Sequence, residues 1–205
     1  MKNVTEFYDK TTTGWSDEWF NEKNQDAVLE KFYNCFGNGG TPHPRILDIG
    51  CGAGYDARAY ARKGAKVVGV DVSEKSIAIA RKKAANCKFF VGDIADPLTK
   101  LGKFDGISCI ATIMHIDIQK MKQVFDNFAN VLKPGGLLLV SAFDGTGKNY
   151  EKSYVELDGE VYDKEFNNYT ASELCAFAYP KLKLVDTWKF EDFSEGWRYY
   201  IFMKQ

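Results

Sequence analysis

Gly50, Gly52 and Gly54 alternate in the run Ile46-Leu47-Asp48-Ile49-Gly50-Cys51-Gly52-Ala53-Gly54. The run opens as a short apolar segment, the pattern of a buried strand, and closes where a helical pattern begins. Glycines at such a turn let the backbone reverse tightly and let a ligand approach without a Cβ in the way. Asp71 ends a second apolar run, 17 residues after Gly54. A carboxylate there accepts hydrogen bonds from the vicinal hydroxyls of a ribose. Asp93, in Val91-Gly92-Asp93-Ile94, ends a third run, where a carboxylate can reach an adenine amino group. Each acid alone reads as a turn or cap residue. In a doubly wound sheet, however, the three strand ends line one crevice and together predict a nucleoside site.

The elements that must hold these residues in phase follow from periodicity. Residues 16–36 predict a helix with Ser16 as its N-cap, ended by the Gly- and Pro-containing loop 37–42. Strands are expected at 45–49, 66–70, 88–91, 104–110 and 137–143. Helices are expected between them at 55–63, at 74–85 behind a Ser73 cap, and at 117–132, the last stopped by Lys133-Pro134-Gly135-Gly136. This alternation implies βαβ units and a mainly parallel sheet. Residues 144–169 carry no strong period and predict a long excursion above the sheet edge. Thr170 and Glu173 make a capping box for a helix to residue 179. Segments 182–190 and 198–204 read as a two-stranded hairpin closing one sheet edge. A single domain over 1–205 is expected: an N-terminal helical cap (1–44), a cofactor-binding core (45–143), and a substrate lid with C-terminal strands (144–205).

The 205 residues hold 27 Lys+Arg and 28 Asp+Glu, a net charge of −1. Such a balance leaves no general electrostatic footprint for nucleic acid or an anionic membrane. Five cysteines, Cys35, Cys51, Cys87, Cys109 and Cys175, form no CxxC pair. An odd, scattered set predicts reduced thiols and a cytoplasmic location. The N-terminal MKNVTEFYDK has no apolar h-region, so no secretory signal is expected, and no apolar run approaches the roughly 18 residues a membrane span needs. No carboxylate cluster suggests a metal. Cys109 falls inside an apolar strand and reads as a small core residue, Asp144 as a turn residue and His43 as a loop residue.

A dinucleotide fingerprint needs a third glycine where this chain has Tyr55. The pattern is instead Asp-x-Gly-x-Gly-x-Gly. Leu47 to Gly54, Gly69-Val70-Asp71-Val72-Ser73, Val91-Gly92-Asp93-Ile94, and Leu132-Lys133-Pro134-Gly135-Gly136 running into Leu137-Leu138-Leu139-Val140 together resemble the class I S-adenosylmethionine-dependent methyltransferases. The resemblance covers 45–143. It implies an α/β, doubly wound, Rossmann-like sheet of seven strands in order 3-2-1-4-5-7-6, strand 7 antiparallel, with helices on both faces. It also implies S-adenosylmethionine as cofactor. Gly50, Cys51, Gly52 and Gly54 would then pass under its methionine and ribose, and Asp48 would hold the loop. Asp71 would bind the ribose with Val72 beside the adenine. Asp93 and Ile94 would address the ring, and Ile110 and Ala111 would lie near the sulfonium. Tyr8-Asp9 with Trp15 is similar to an N-terminal segment that folds over the cofactor in small-molecule relatives.

No Asn/Asp-Pro-Pro-Tyr loop follows the fourth strand, where Ile110-Ala111-Thr112-Ile113-Met114-His115 stands, and this disfavours methylation of a nucleic-acid base. His115 is the candidate general base, with structural packing as the other reading. Arg198 is a candidate partner for a substrate carboxylate or a solvated strand residue. The expected activity is methyl transfer to a small molecule by a monomer or homodimer. The alternatives are methylation of tRNA or protein, a non-catalytic S-adenosylmethionine-binding protein, and an NAD-dependent oxidoreductase, the last weakened by Tyr55.

Overall fold

A computed structural model describes residues 3–22, 26–37, 41–189 and 196–205. Two helices, α1 (Val4–Glu22) and α2 (Asp26–Gly37), precede the first strand. The expected helix at 16–36 is therefore corrected: its first part belongs to a helix that begins twelve residues earlier, at Val4. The reason is a reciprocal cap. Glu6 N donates to Asn3 Oδ1 at 3.1 Å, and Asn3 N donates to Glu6 Oε2 at 2.9 Å, which satisfies two otherwise orphaned amides.

The core then alternates as its periodicity requires: β1 (Arg45–Ile49), α3 (Tyr55–Arg62), β2 (Lys66–Asp71), α4 (Glu74–Lys83), β3 (Lys88–Val91), β4 (Phe104–Cys109), α5 (Met121–Val131) and β5 (Leu132–Phe143). Ser73 caps α4 by accepting from Ser76 N. A 3₁₀ turn at Ile118–Lys120 replaces the expected start of α5. At its other end Leu132 is already extended (ψ 145°), so the Lys-Pro-Gly-Gly stretch joins β5 through an irregular register beside β4.

The expectation of a patternless tail is also corrected. It contains β6 (Gly147–Lys148), α6 (Tyr150–Ser153), β7 (Tyr154–Leu157), β8 (Glu160–Asp163) and β9 (Asn167–Asn168), paired as two small antiparallel ribbons, β6 with β9 and β7 with β8. Asp158 and Gly159 both take positive φ (53° and 73°) between β7 and β8. Paired positive φ is the mark of the primed turn that joins short hairpins. Then come α7 (Ala171–Ala178), closed by the Thr170–Glu173 capping box, β10 (Leu182–Trp188) and β11 (Trp197–Lys204).

The seven-stranded sheet runs β10-β11-β5-β4-β1-β2-β3, with β11 antiparallel to both neighbours. This is the expected order 3-2-1-4-5-7-6. Alternate residues of each strand feed opposite faces. Leu47 and Ile49 pack with Phe125 and Phe128 of α5 and Leu174 of α7. Ile46 packs on the other face with Leu29 and Phe32 of α2, Tyr60 of α3 and Ile77 of α4.

Gly106 shows how tightly α2 sits on β4: a Cβ there would lie 2.5 Å from Phe36 Cζ and 3.2 Å from Phe32 Cζ. Gly106→Ala should therefore cost about 1–3 kcal/mol by overpacking, read from urea denaturation. A loss below about 0.5 kcal/mol would place α2 in a seat that yields freely.

Candidate active site

Each of the three alternating glycines is required for a different reason. Gly50 N and Cys51 N both donate to Val70 O, at 2.8 and 3.1 Å, which folds the loop after β1 across the end of β2. Gly50 takes φ +66°, and a Cβ there would stand 2.1 Å from Thr112 Oγ1. That hydroxyl is itself fixed, donating to Ile110 O at 2.9 Å. Gly54, at φ +85°, starts α3, and a Cβ would press on Ala80 and Phe89 at 3.0 and 3.1 Å. Gly52 differs: at φ +49° its missing Cβ would meet nothing within 4 Å. It forms open floor.

Above that floor lies a cavity of about 450 Å³ at the carboxyl ends of β1, β2, β3 and β4, where open α/β sheets bind ligands. Gly50, Cys51, Gly52, Asp71, Val72, Asp93, Ile94, Ile110, Ala111, Tyr8 and His115 all line it. Gly54 and Asp48 do not line it: Gly54 faces α4, and Asp48 is 2% exposed beneath the loop. The expectation for Trp15 concerns a side chain outside those described.

Both Asp71 oxygens hold backbone: Oδ2 accepts from Gly52 N and Oδ1 from Ser73 N, each at 2.9 Å. Burial nonetheless raises its pKa, outweighing these amides. Asp93 Oδ1 accepts from Ala95 N at 2.8 Å. Burial, reinforced by Asp56, holds the Asp48 carboxyl well above the usual carboxylate range, and its Oδ2 has no partner among the described residues. Ala111 (φ 51°) and Glu165 (φ 40°) line the cavity in left-handed backbone, a strain that concentrates at functional sites. Motif reading missed Thr12, Asp56, Ser76, Thr112 and Glu165, which the fold brings to the same cavity. Burial, then Asp26, pushes Asp56 up to about 7. Its one sequence signal is its place in the first turn after the glycine loop.

His115 is held from two sides. Its Nδ1 lies 2.7 Å from both Lys164 O and Glu165 O. Carbonyls only accept, so Nδ1 carries the proton and Nε2 accepts from the Tyr8 hydroxyl at 2.9 Å. Burial lowers the imidazole to about 4. Helix α1, which brings Tyr8, is docked by Ser73 Oγ donating to Asp9, by Ser76 Oγ donating to Thr12 at 2.9 Å, and by Lys10 on Asp158 at 3.0 Å. The two flanks expected over the strand ends thus meet at His115. Arg198 is engaged elsewhere, 3.4 Å from Asp144, which also takes Lys189 at 2.8 Å. Cys109 is fully buried, and burial pushes its thiol up. Among the described residues no group of three or more His, Cys, Asp or Glu side chains could hold a metal ion, and no helix is long and apolar enough to cross a membrane.

Comparison with known proteins gives a consistent result. The family model described as "Methyltransferase domain" matches residues 46–136. A ubiquinone biosynthesis O-methyltransferase of Dechloromonas aromatica (strain RCB) is 31% identical over 113 residues, which are 52% of this chain and 47% of that protein. One of Coxiella burnetii (strain RSA 493 / Nine Mile phase I) is 36% identical over 110 residues, 51% of this chain and 46% of its own. The chain spans about half the length of these curated relatives. Among solved structures, the magnesium protoporphyrin IX methyltransferase of Synechocystis PCC 6803 with bound SAH aligns with a TM-score of 0.75 at 16% identity, over 98% of both chains. The PH0226 protein of Pyrococcus horikoshii OT3 aligns at 0.71 and 22%, over 91% of this chain and 93% of its own.

The His115 geometry has a measurable consequence. In the unfolded chain its imidazole takes a proton near 6.5, and in the folded chain only near 4. The unfolded state therefore binds the extra proton between these values. Stability present above pH ~6.5 is lost as pH falls toward ~4, by up to about 3 kcal/mol. The raised carboxyls Asp48, Asp56 and Asp71 titrate in both proteins, so the readout is the difference: as pH falls across this range, wild type should lose stability relative to His115→Gln, and parallel curves would mean the imidazole titrates as if exposed.

Proposed function

We propose that the chain carries a class I S-adenosylmethionine-dependent methyltransferase domain and methylates a small-molecule acceptor, with S-adenosylmethionine as donor. The observation that carries this reading is the open floor at Gly52, bounded by the Asp71 and Asp93 carboxylates and the apolar walls of Val72, Ile94 and Ile110. A nucleoside with an amino-acid arm fits that donor set. A carboxylate offers about four lone-pair sites, so Asp71 keeps capacity for ribose hydroxyls after its two amide bonds. Asp93 keeps Oδ2 for an adenine amino group. When bound, S-adenosylmethionine supplies an electrophilic methyl group on a good leaving group.

The protein's share of the work is then to orient the reactants and exclude water, and orientation alone is worth about 7–11 kcal/mol in well-placed intramolecular reactions. Tyr8 from above and Glu165 from the side line the cavity that Gly52 floors. His115 is too weak a base, at about 4, to draw a proton from an alcohol or phenol near neutral pH, and its Nε2 is occupied by Tyr8. We assign it to holding the lid. The α1 cover and the limited cavity favour a small acceptor over a macromolecule. The relatives named for ubiquinone biosynthesis and magnesium protoporphyrin IX point the same way. The cysteines are all free thiols, in keeping with a cytoplasmic setting.

Calorimetry should show binding of S-adenosylhomocysteine and none of NAD. Gly52→Val should lower that affinity more than tenfold, above about 1.4 kcal/mol. Its folding cost should stay near the ~1–2 kcal/mol of a side chain in left-handed backbone. A valine variant that binds within about twofold of wild type would remove the ligand from above Gly52. Methyl transfer to a panel of small acceptors, set against tRNA and protein, then tests the substrate class.

A further inference from the structure

Asp56 lies in the first turn of α3 and lines the cavity beside Gly52, Ala53 and Tyr55. Among the described residues its carboxylate has neither a hydrogen-bond donor nor a cation. The groups that sense its charge come from every side. Asp26 of α2 accepts from the Tyr55 hydroxyl at 2.7 Å. Asp48 of β1 lies beneath, 2% exposed, with Oδ2 unpartnered. Tyr55 and Tyr60 of α3, Cys51 of the loop and Tyr199 of β11 sense it too. All are acidic or neutral. Arg58, on the same helix, interacts with Tyr55 and Arg62. A carboxylate facing a cavity amid other carboxylates, with an orphaned buried acid oxygen below it, is the complement of a cation with several N–H donors.

The nucleoside end of the proposed cofactor is accounted for at Asp71 and Asp93. Its amino-acid end then falls toward the glycine loop and α3. We propose that Asp56 is the anionic partner of the cofactor's α-ammonium group, so that the amino-acid arm is recognised by charge as well as by the shape of the loop. This rests on the S-adenosylmethionine reading above. In the ligand-free protein the Asp56 proton leaves only near pH 7, so an arriving ammonium must displace it at lower pH.

Two ligands isolate the arm: S-adenosylhomocysteine carries it, and 5′-methylthioadenosine lacks it. Asp56→Asn keeps the shape and removes the charge. Calorimetry should show S-adenosylhomocysteine bound about ten- to a hundredfold more weakly by the variant, with methylthioadenosine changed by less than about twofold. At pH 6 the α-ammonium of S-adenosylhomocysteine is still charged, since even a peptide α-amino group, without a neighbouring carboxylate, has a pKa of about 7.7–8.0. Wild type should then release close to one proton per S-adenosylhomocysteine bound, measured in buffers of different ionisation enthalpy, and almost none with methylthioadenosine. Wild-type affinity for S-adenosylhomocysteine should rise about fivefold from pH 6 to pH 7. Tight wild-type binding that the asparagine variant retains, or equal proton release with both ligands, overturns the assignment of Asp56 and leaves the cofactor reading standing. If wild type binds neither ligand, the cofactor reading fails and this inference with it. The wild-type proton count decides the matter even if the variant does not fold.

Discussion

One carboxylate ties together the parts that make the cavity. Asp71 sits at the end of β2, and its two oxygens hold amides from different segments: Gly52 in the loop after β1, and Ser73 at the start of α4. Hydrogen bonds to a charged acceptor contribute about 1.5–3 kcal/mol each, which offsets part of the cost of burying the charge. The raised pKa shows that the offset is incomplete. The consequence is geometric. The loop cannot collapse into the space above Gly52, because its amide is held toward β2. Ser73, fixed by the same carboxylate, in turn presents its hydroxyl to Asp9 of α1. The floor of the cavity and the anchor of its cover thus depend on a single side chain.

The cover is held by polar contacts as well as by ring packing. Phe7 packs edge-on to Tyr162 at 5.6 Å, but Thr12, Asp9, Lys10 and Tyr8 dock through hydrogen bonds and an ion pair. His115 is the junction. The carbonyls of Lys164 and Glu165 fix its tautomer, and the tautomer makes Nε2 an acceptor for Tyr8. Burial and nearby Asp71 raise the Tyr8 phenol, so it stays a neutral donor. Two neutral rings join here without the desolvation penalty that a charged pair would carry in the same place.

The strands were legible because buried parallel strands read as uninterrupted apolar runs between glycines. The Thr170–Glu173 capping box, the Ser73 cap and the place of Asp71 at a strand end were legible because they rest on local chemistry. Helix α1 was not: Lys10-Thr11-Thr12-Thr13-Gly14 has poor helix propensity, and its stability comes from Asn3–Glu6 and from tertiary contacts. The β7–β8 hairpin carried its signal, Asp158-Gly159, in a stretch too polar to read as strands. The three glycines were legible as a motif but not as three roles. Their φ values of +66°, +49° and +85° belong to a coiling turn, and alternate positions there do not share a face as they would in a strand. Asp48 was assigned to holding the loop; the structure buries it in β1 with its Oδ2 unpartnered among the described residues. Asp56 belongs to no motif and becomes a cavity residue only because α3 starts where the loop ends.

That last position also bears on ligand class. A helix N-terminus with a glycine loop before it is a favourable anion site, and in dinucleotide-binding folds a pyrophosphate takes it. Here the first turn of α3 carries Asp56, with Asp48 behind it and Asp71 across the loop. Among the described lining side chains Lys120 is the full cation, and it is exposed. A phosphate over Gly52 would bring negative charge toward these carboxylates in a poorly screened site. A ligand with hydroxyls at one end and a positive charge at the other meets acceptors at both. The departure from the dinucleotide fingerprint at Tyr55 and the acid that follows it therefore act in the same direction: the third glycine is missing, and so is the room for a phosphate's charge.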